Sequence, residues 1–369
     1  MSLTFSAIQS ALAAYAPFSL QEDYDNAGLL TGAPETPITG ILITLDTTEA
    51  VIDEAIAKNC NLVVSHHPVI FGGLRQLNGK HWVERTVIKA IQHNIGILAA
   101  HTNLDNVIHG VNGRIAAQLG LDVSSVLRPM PGILHKLTTF VPEQYAEQVR
   151  QALFSAGGGA IGAYDNCSFN ISGTGTFRPG PGTNPFTGEV GVEHSEKEVR
   201  IEIIFEKWKQ AALLQALLEA HPYEEVAYDI YPLLNTSRDI GAGILGTLAS
   251  PCSEHEFLQR VKERMKTGVI RHTAGSGKPV RKVAICGGAG SFLLQDAMRA
   301  GADCFLTADV KYHDFFEAEN KILFADIGHY ESEQYTAALI KDIINQKIAN
   351  FAPAFPVYIG EGTNPVKYF

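Results

Sequence analysis

The segment Val63-Val64-Ser65-His66-His67-Pro68-Val69-Ile70-Phe71-Gly72-Gly73 is the part of the sequence that most constrains the fold. Its apolar start, with Leu62 before it, predicts a short buried strand that stops at Ser65. Pro68 lacks an amide proton and disfavours helical backbone at His67, so the strand must run into an extended loop. Ligands of open α/β sheets bind beyond the carboxyl ends of the strands, and the two histidines are expected there.

His66 and His67 are candidate metal ligands, because neutral imidazoles commonly bind Zn, Fe, Co or Ni. Adjacent side chains on a regular strand point to opposite faces, so both rings can serve one centre only if the loop bends. If it does not bend, they can serve two neighbouring metals. The alternative is a pair of loop histidines with no ligand role.

The composition indicates a protein of two or three domains in a reducing cytoplasm. A chain of 369 residues is long for one hydrophobic core. The net charge of −10 argues against a nucleic-acid-binding surface. No apolar run approaches the roughly 20 residues of a membrane helix, and no signal peptide is recognisable. The five cysteines are scattered and form no Cys-x-x-Cys pair. We therefore expect neither a membrane nor a nucleic-acid partner.

Strands that alternate with helices predict a mostly parallel α/β sheet in both flanking parts of the chain. The strand Ile95–Ala100 follows a helix over 81–94 and ends in His101-Thr102-Asn103-Leu104-Asp105. Two successive strand ends therefore carry possible ligands. Late in the chain, the strand Ile322–Ile327 leads to His329, and a long helix is expected over 331–347.

The middle of the chain has a different pattern, which predicts a separate small domain. Linkers are expected at Arg128–Gly132 and Ile240–Gly246. Between them the elements are predicted in the order β-α-β-β-α-β, which is the ferredoxin-like arrangement, with a long loop over about 178–196. The expected domains are thus residues 1–127, an insert of 128–245, and residues 246–369.

A glycine-rich segment, Gly287-Gly288-Ala289-Gly290-Ser291, follows the strand Lys282–Cys286. Such a segment can cradle phosphate, but it lacks the Lys-Ser/Thr of a P-loop and the full spaced glycine pattern. A tight turn between strand and helix is therefore favoured.

His329 and Glu333 are four residues apart at a helix start, which puts both on one face within reach of a shared ion. They join His66, His67 and Asp105 at ends of strands that gather on one edge of an α/β sheet. Three imidazoles and two carboxylates are too few for two closed metal sites. They suffice for two open metals that share a carboxylate and can generate a hydroxide nucleophile.

Five stretches of the chain resemble the NIF-three-like family, whose members are also called type 2 homologs of GTP cyclohydrolase I. They are Asp25–Leu30, Ser65–Pro68, His101–Asp105, the run from Thr307 through Lys311 to His313, and Gly328-His329-Tyr330-x-Ser332-Glu333. The segments His221–Glu225 and Tyr228–Leu233 resemble the insert of longer bacterial members.

This resemblance implies a two-lobed NIF-three-like α/β core with an inserted ferredoxin-like α+β domain. It implies two divalent metal ions per chain, such as Zn, Fe, Mn, Co or Ni, bound through residues matching His66, His67, Asp105, His329 and Glu333. His101 matches a further histidine near the metals. The resemblance also implies a ring-shaped homohexamer whose metal sites face an internal cavity. The insert resembles small trimeric nitrogen-signalling and copper-tolerance modules.

Two classes of function remain open. The first is a metal-dependent hydrolase of a small-molecule substrate, a purine nucleotide or a phosphoester, in which His101 or His313 moves protons. The second is a regulatory or metal-handling assembly whose insert senses a ligand. Asp25 and Asn26 are interpreted as turn residues rather than hydrogen-bond partners of ligand imidazoles. Asp309 and its neighbours either line the cavity or cap a helix.

Overall fold

The computed structural model describes residues 3–349 and 355–369. Its helices are α1 Phe5–Tyr15, α2 Glu49–Ala57, α3 Trp82–Gln92, α4 Thr102–Asp105, α5 Val111–Leu119, α6 Ala146–Ser155, α7 Gln210–Ala220, α8 Glu254–Arg264, α9 Leu294–Arg299, α10 His329–Glu333 and α11 Thr336–Ile348. Its strands are β1 Gly28–Thr31, β2 Ile41–Thr44, β3 Leu62–Ser65, β4 Gly96–Ala99, β5 Leu121–Pro129, β6 Leu134–Pro142, β7 Phe169–Phe177, β8 His194–Glu206, β9 Tyr228–Pro232, β10 Gly241–Cys252, β11 Arg271–His272, β12 Val280–Ala289, β13 Cys304–Ala308, β14 Leu323–Asp326 and β15 Val357–Ile359.

The described residues divide into two compact units. The first contains those of Met1–Pro129 and Arg238–Phe369, and the second is Met130–Ser237. No helix in the described ranges is long and apolar enough to cross a membrane.

The first unit has two lobes, each built on its own sheet, as expected for the two-lobed α/β core. The five-stranded sheet has the order β1-β4-β3-β2-β15, in which only β1 runs antiparallel to its neighbour. The six-stranded sheet has the order β11-β14-β13-β12-β10-β5, with β12, β13 and β14 parallel. The lobes exchange strands, because β5 joins the second sheet and β15 joins the first.

The central strands of both sheets are buried on both faces, as their continuous apolar sequences predict. Residues Ile41–Ile43 of β2 are fully buried, and Ile52 of α2 packs over this sheet in the same core cluster as Leu42. In the second sheet, Phe305 of β13 and Phe324 of β14 stack with ring centroids 5.5 Å apart. Burial of each such ring contributes about 1.5–3 kcal/mol, and this packing holds the strand ends in place.

The second unit is one antiparallel sheet with two helices. Its elements follow the order β6-α6-β7-β8-α7-β9, and the strand order is β7-β8-β6-β9. Leu137, Leu153, Ile203 and Leu213 share its core between sheet and helices. Its standing as an independently folding insert remains a prediction.

Two segments predicted as linkers lie partly in strands of the first unit. Arg128 and Pro129 end β5, and Gly241–Gly246 begin β10, where Gly241 pairs with Pro129. Gly and Pro are typical of linkers, but at these positions they lie in sheet strands. Gly241 adopts φ +153°, and a Cβ there would lie 2.2 Å from the Arg128 carbonyl oxygen, so the strand pairing itself requires glycine.

Two further predictions about local structure are wrong. The long helix over 331–347 is broken into α10 and α11 between Glu333 and Thr336, with no Pro or Gly to mark the break. The glycine segment is not only a turn, because Gly287–Ala289 continue β12.

Deleting residues 130–237 and joining Pro129 to Arg238 through a short Gly/Ser linker should leave a folded first unit, because both sheets stay whole. Deleting 128–245 should leave the chain largely unfolded, because it removes the start of β10 from between β5 and β12. Circular dichroism and thermal melting measure whether each shortened chain is folded. Equal behaviour of both shortened chains would contradict this reading of the boundary.

Candidate metal centre

The candidate site lies in the first unit, in a cavity of about 1020 Å³ lined by residues of both lobes. His66 and His67 directly follow β3, and His101 follows β4. His329 and Glu333 begin and end α10, which follows β14. The carboxyl ends of parallel strands thus deliver the histidines, as the sequence led us to expect.

The predicted ligands come close together in space. Ligand atoms of His66, His67 and His101 lie within 4.8 Å of one another, and so do those of His67, His329 and Glu333. Asp105 Oδ1 lies 3.7 Å from His66 Nε2. The structure therefore brings together all five residues proposed as metal ligands, with His101 beside them.

Each of the four imidazoles is held by an oxygen atom at its Nδ1. The pairs are His66 with the Ala100 carbonyl at 2.8 Å, His67 with Asp46 at 2.8 Å, His101 with Asp25 at 2.7 Å, and His329 with Asp309 at 2.7 Å. When Nδ1 donates in each pair, Nε2 keeps a lone pair that can bind a cation. Partners of this kind commonly orient metal-binding histidines.

Two buried atoms that could bind a metal form no hydrogen bond. His66 Nε2 and Asp105 Oδ1 have no hydrogen bond to any part of the chain that the structure describes. A buried unsatisfied polar atom costs about 1–3 kcal/mol. The His66 ring is tied at Nδ1, so its Nε2 offers a lone pair. A cation between these two atoms would satisfy both.

The two nitrogens facing each other across the cavity, His67 Nε2 and His329 Nε2, are 3.4 Å apart. Both approach the same atom, Glu333 Oε2, at 3.0 and 3.1 Å. Nitrogens this close need a proton or another cation between them and the carboxylate. The donor set thus fits a divalent ion, and nitrogen and oxygen donors together suit Zn, Fe, Mn, Co or Ni.

The charges of the site are mutually dependent. Burial acts to lower the pKa of His67, but hydrogen bonds to Asp46 and Glu333 raise it to about 10. Burial likewise opposes protonation of His329, yet Glu333 and Asp309 raise its pKa to about 9. The carboxylates therefore favour positive charge at both imidazoles.

The carboxyl groups respond in opposite directions. Burial and the charge of Glu333 raise the pKa of Asp105 well above its ordinary value. Burial also acts to raise the pKa of Glu333, but hydrogen bonds from the surrounding histidines lower it well below the ordinary value. Two carboxylates in one low-dielectric cavity repel each other unless positive charge lies between them.

The glycine segment gives Glu333 its space. A Cβ at Gly288, which has φ +60°, would lie 2.5 Å from Glu333 Oε1. The Gly288 amide donates to Ser332 Oγ at 3.0 Å, and the Gly287 amide donates to Asn112 Oδ1 at 2.8 Å. The segment thus fixes the end of β12 against α10.

Three carboxylates acquire a role that the sequence did not assign firmly. Asp25, favoured as a turn residue, holds His101, and its Oδ2 also accepts from the Thr102 amide at 3.0 Å. Asp309 holds His329, and Asp46 holds His67. The position of Asp46 just beyond a strand end was the one available signal.

Of the two histidines proposed to move protons, His101 lines the cavity. His313 is exposed and contacts Tyr312 and Phe316, and it is not among the described residues that line the cavity. Its proton-transfer role stays a prediction without geometric support.

The double variant His66→Ala/His329→Ala should lose most bound metal, because it removes one imidazole from each group of donors. The double variant His93→Ala/His255→Ala removes two exposed histidines and is the matched control. Elemental analysis of both purified proteins measures the difference. Equal metal content would remove the basis for a metal centre here.

Asp46→Asn and Asp309→Asn should each weaken metal binding by about 10- to 100-fold, although neither residue is a proposed ligand. The cause is loss of the negative charge that holds His67 or His329 in orientation. Competition with a chelator measures the affinity, and Asp53→Asn, at the exposed surface salt bridge with Lys89, is the control. Affinities equal to the control's would show that these carboxylates do not tune the site.

Comparison with known proteins agrees with this fold. A profile of the Duf34/NIF3 (NGG1p interacting factor 3) family matches residues 3–365. The chain is 38% identical to the "GTP cyclohydrolase 1 type 2 homolog" of Bacillus subtilis, over 91% of this chain and 89% of that protein. It is 42% identical to the protein of the same name from Halalkalibacterium halodurans, over 81% of each. A solved structure of a "Bacillus cereus protein related to NIF3" covers 100% of both chains, with a TM-score of 0.89 and 34% identity. The chain therefore belongs to the Duf34/NIF3 family.

Proposed function

We propose that this protein is a hydrolase with two divalent metal ions per chain that acts on a nucleotide or phosphoester. The observation that carries the proposal is the partnerless pair His66 Nε2 and Asp105 Oδ1, beside the group His67, His329 and Glu333. Two neighbouring donor sets with few ligands each leave positions open for substrate and water.

Glu333 is the residue that would contribute to both donor sets. Its Oε1 faces His66 Nε2 at 3.9 Å, whereas its Oε2 faces His67 and His329. The first metal would be held by His66 and Asp105, and the second by His67 and His329.

A pair of divalent ions held there would polarise a substrate oxygen and activate water for attack. The chain itself supplies a group for proton transfer, His101, whose Nδ1 is tied to Asp25. Burial acts to raise the pKa of Asp25, but hydrogen bonds from His101 and Thr102 lower it to about 2. Asp25 is therefore ionised at neutral pH and orients the His101 ring through Nδ1.

The walls of the cavity suit a ring-bearing substrate. Phe71 lies between Tyr24 and His101, with ring centroids 6.2 and 6.0 Å away. Within the described ranges, Arg271 is the single lysine or arginine that lines the cavity, and it pairs with Asp326. Protein side chains thus favour a base or other ring over a long phosphate chain, so substrate panels need nucleosides and bases as well as nucleotides.

The second candidate function is a regulatory or metal-handling assembly with a ligand-sensing second unit. A separate cavity within that unit favours it. Assembly into a homohexamer, implied by the resemblance, is proposed for either function, and sedimentation measurements test it.

Asp105→Asn and Glu333→Gln should each lower turnover much more than substrate binding, because each amide removes a charge from beside two dications. Metal content should fall to about one ion per chain or less. Turnover of a nucleotide, nucleoside and phosphoester panel is measured with Glu263→Gln, an exposed change on α8, as control. If the variants lose metal but keep full turnover, the two-metal mechanism is excluded. If the unmodified protein, loaded with metal, turns over none of the panel, the regulatory function is favoured.

A further inference from the structure

A second cavity lies wholly within the second unit, and the proposed hydrolysis does not use it. Its volume is about 660 Å³, which is suitable for a small organic molecule. Residues of β7 and β8 form one wall, and the loop that begins at Arg178 after β7 forms another.

The cavity faces the side of the sheet that the helices do not cover. Ile201, Ile203 and Phe205 of β8 belong to the core beneath the helices. Side chains alternate along a strand, so Glu198 and Arg200 point the other way, and both line the cavity.

Glu198 is a buried carboxylate with an incomplete set of partners. The residue is 8% exposed. The Tyr223 hydroxyl donates to its Oε1 at 2.9 Å, and no ion pair with it is found among the described residues. Burial and the charge of Glu198 raise the pKa of Tyr223, so the phenol stays protonated and donates. A carboxylate has about four acceptor positions and is rarely buried unless paired with a cation.

The structure makes room for this carboxylate. A Cβ at Gly175 of β7 would lie 2.1 Å from Glu198 Oε2. The absence of a side chain at Gly175 therefore lets the Glu198 carboxylate lie against β7 at the wall of the cavity.

Aromatic rings surround the same space. The ring of Tyr223 has centroid distances of 5.9 Å to Phe177 and 6.1 Å to Phe186. All three residues line the cavity. Aromatic faces attract organic cations, and their apolar edges accept a hydrocarbon body.

The remaining charges leave the cavity acidic. Arg200 pairs with Glu202, with Nη2 and Oε1 at 2.7 Å, and Lys136 pairs with the other oxygen of the same carboxylate. Arg178 is exposed, and the carboxylates of Glu224 and Glu225 also line the cavity. Three lining carboxylates thus face two lining arginines.

We propose that this cavity binds a small organic ammonium ion. Its charged end would pair with Glu198, and its apolar or aromatic body would pack on Phe177, Phe186 and Tyr223. An anionic ligand of the same shape would meet Glu198 and be repelled. This assigns a ligand class to the second unit independently of the metal centre.

The test uses the full chain and three probes with one carbon skeleton: 4-phenylbutylamine, 4-phenylbutanol and 4-phenylbutyrate. The amine should bind at least about tenfold more tightly than the alcohol or the acid, as measured by calorimetry at pH 7. Equal or tighter binding of the acid would overturn the proposal.

Matched variants locate the binding. Glu198→Gln keeps the shape and should abolish the preference for the amine over the alcohol. Glu219→Gln, an exposed change on α7 that does not line the cavity, should change the preference by less than about twofold. Thermal melting confirms that each variant is folded. If Glu198→Gln keeps the full preference, the amine binds elsewhere and the proposal is wrong. If Glu198→Gln does not fold, Phe186→Ala replaces it in the test. Phe186→Ala should weaken binding of the amine.

Discussion

The first unit depends on holding electron-rich atoms close together in a cavity where, among the described residues, Arg271 is the single lysine or arginine in the lining. Rings of His66 and His67 have centroids 4.9 Å apart, and His67 and His329 are at 5.2 Å. Two buried carboxylates share this space. Such an arrangement is unfavourable by itself, so it persists only because rigid strands and orienting oxygens fix every ring. A cation converts the same arrangement from repulsive to attractive.

The two lobes contribute different parts of the site, which explains why the first unit cannot be divided at the lobes. His66, His67, His101 and Asp105 come from the first lobe, and His329 and Glu333 come from the second. Their alignment depends on contacts such as the hydrogen bond from the Gly287 amide to Asn112 of α5. The exchange of β5 and β15 between sheets further couples the lobes, because each sheet needs chain from both flanking parts.

The positions of the candidate ligands could be predicted from the sequence because their environment is local. A buried strand, a proline and a helix-start spacing are enough to place His66, His67 and His329 at strand ends. The orienting carboxylates were harder to predict, since Asp46 reaches His67 across neighbouring strands and no short motif marks that contact. The prediction of the linkers failed for a related reason. Whether Gly241 lies in a loop or a strand depends on its pairing with Arg128 and Pro129, more than a hundred residues earlier.

The pairing of β15 with β2 has a consequence for folding during synthesis. Val357 pairs with Ile41, so the edge of the first sheet is completed by a segment made more than three hundred residues later. Until then β2 presents unpaired amides and carbonyls, which other chains can bind. Contacts over such a separation also slow folding, since a long loop must close first. The order in which the ribosome makes the chain therefore leaves one lobe open to misassembly throughout most of its synthesis.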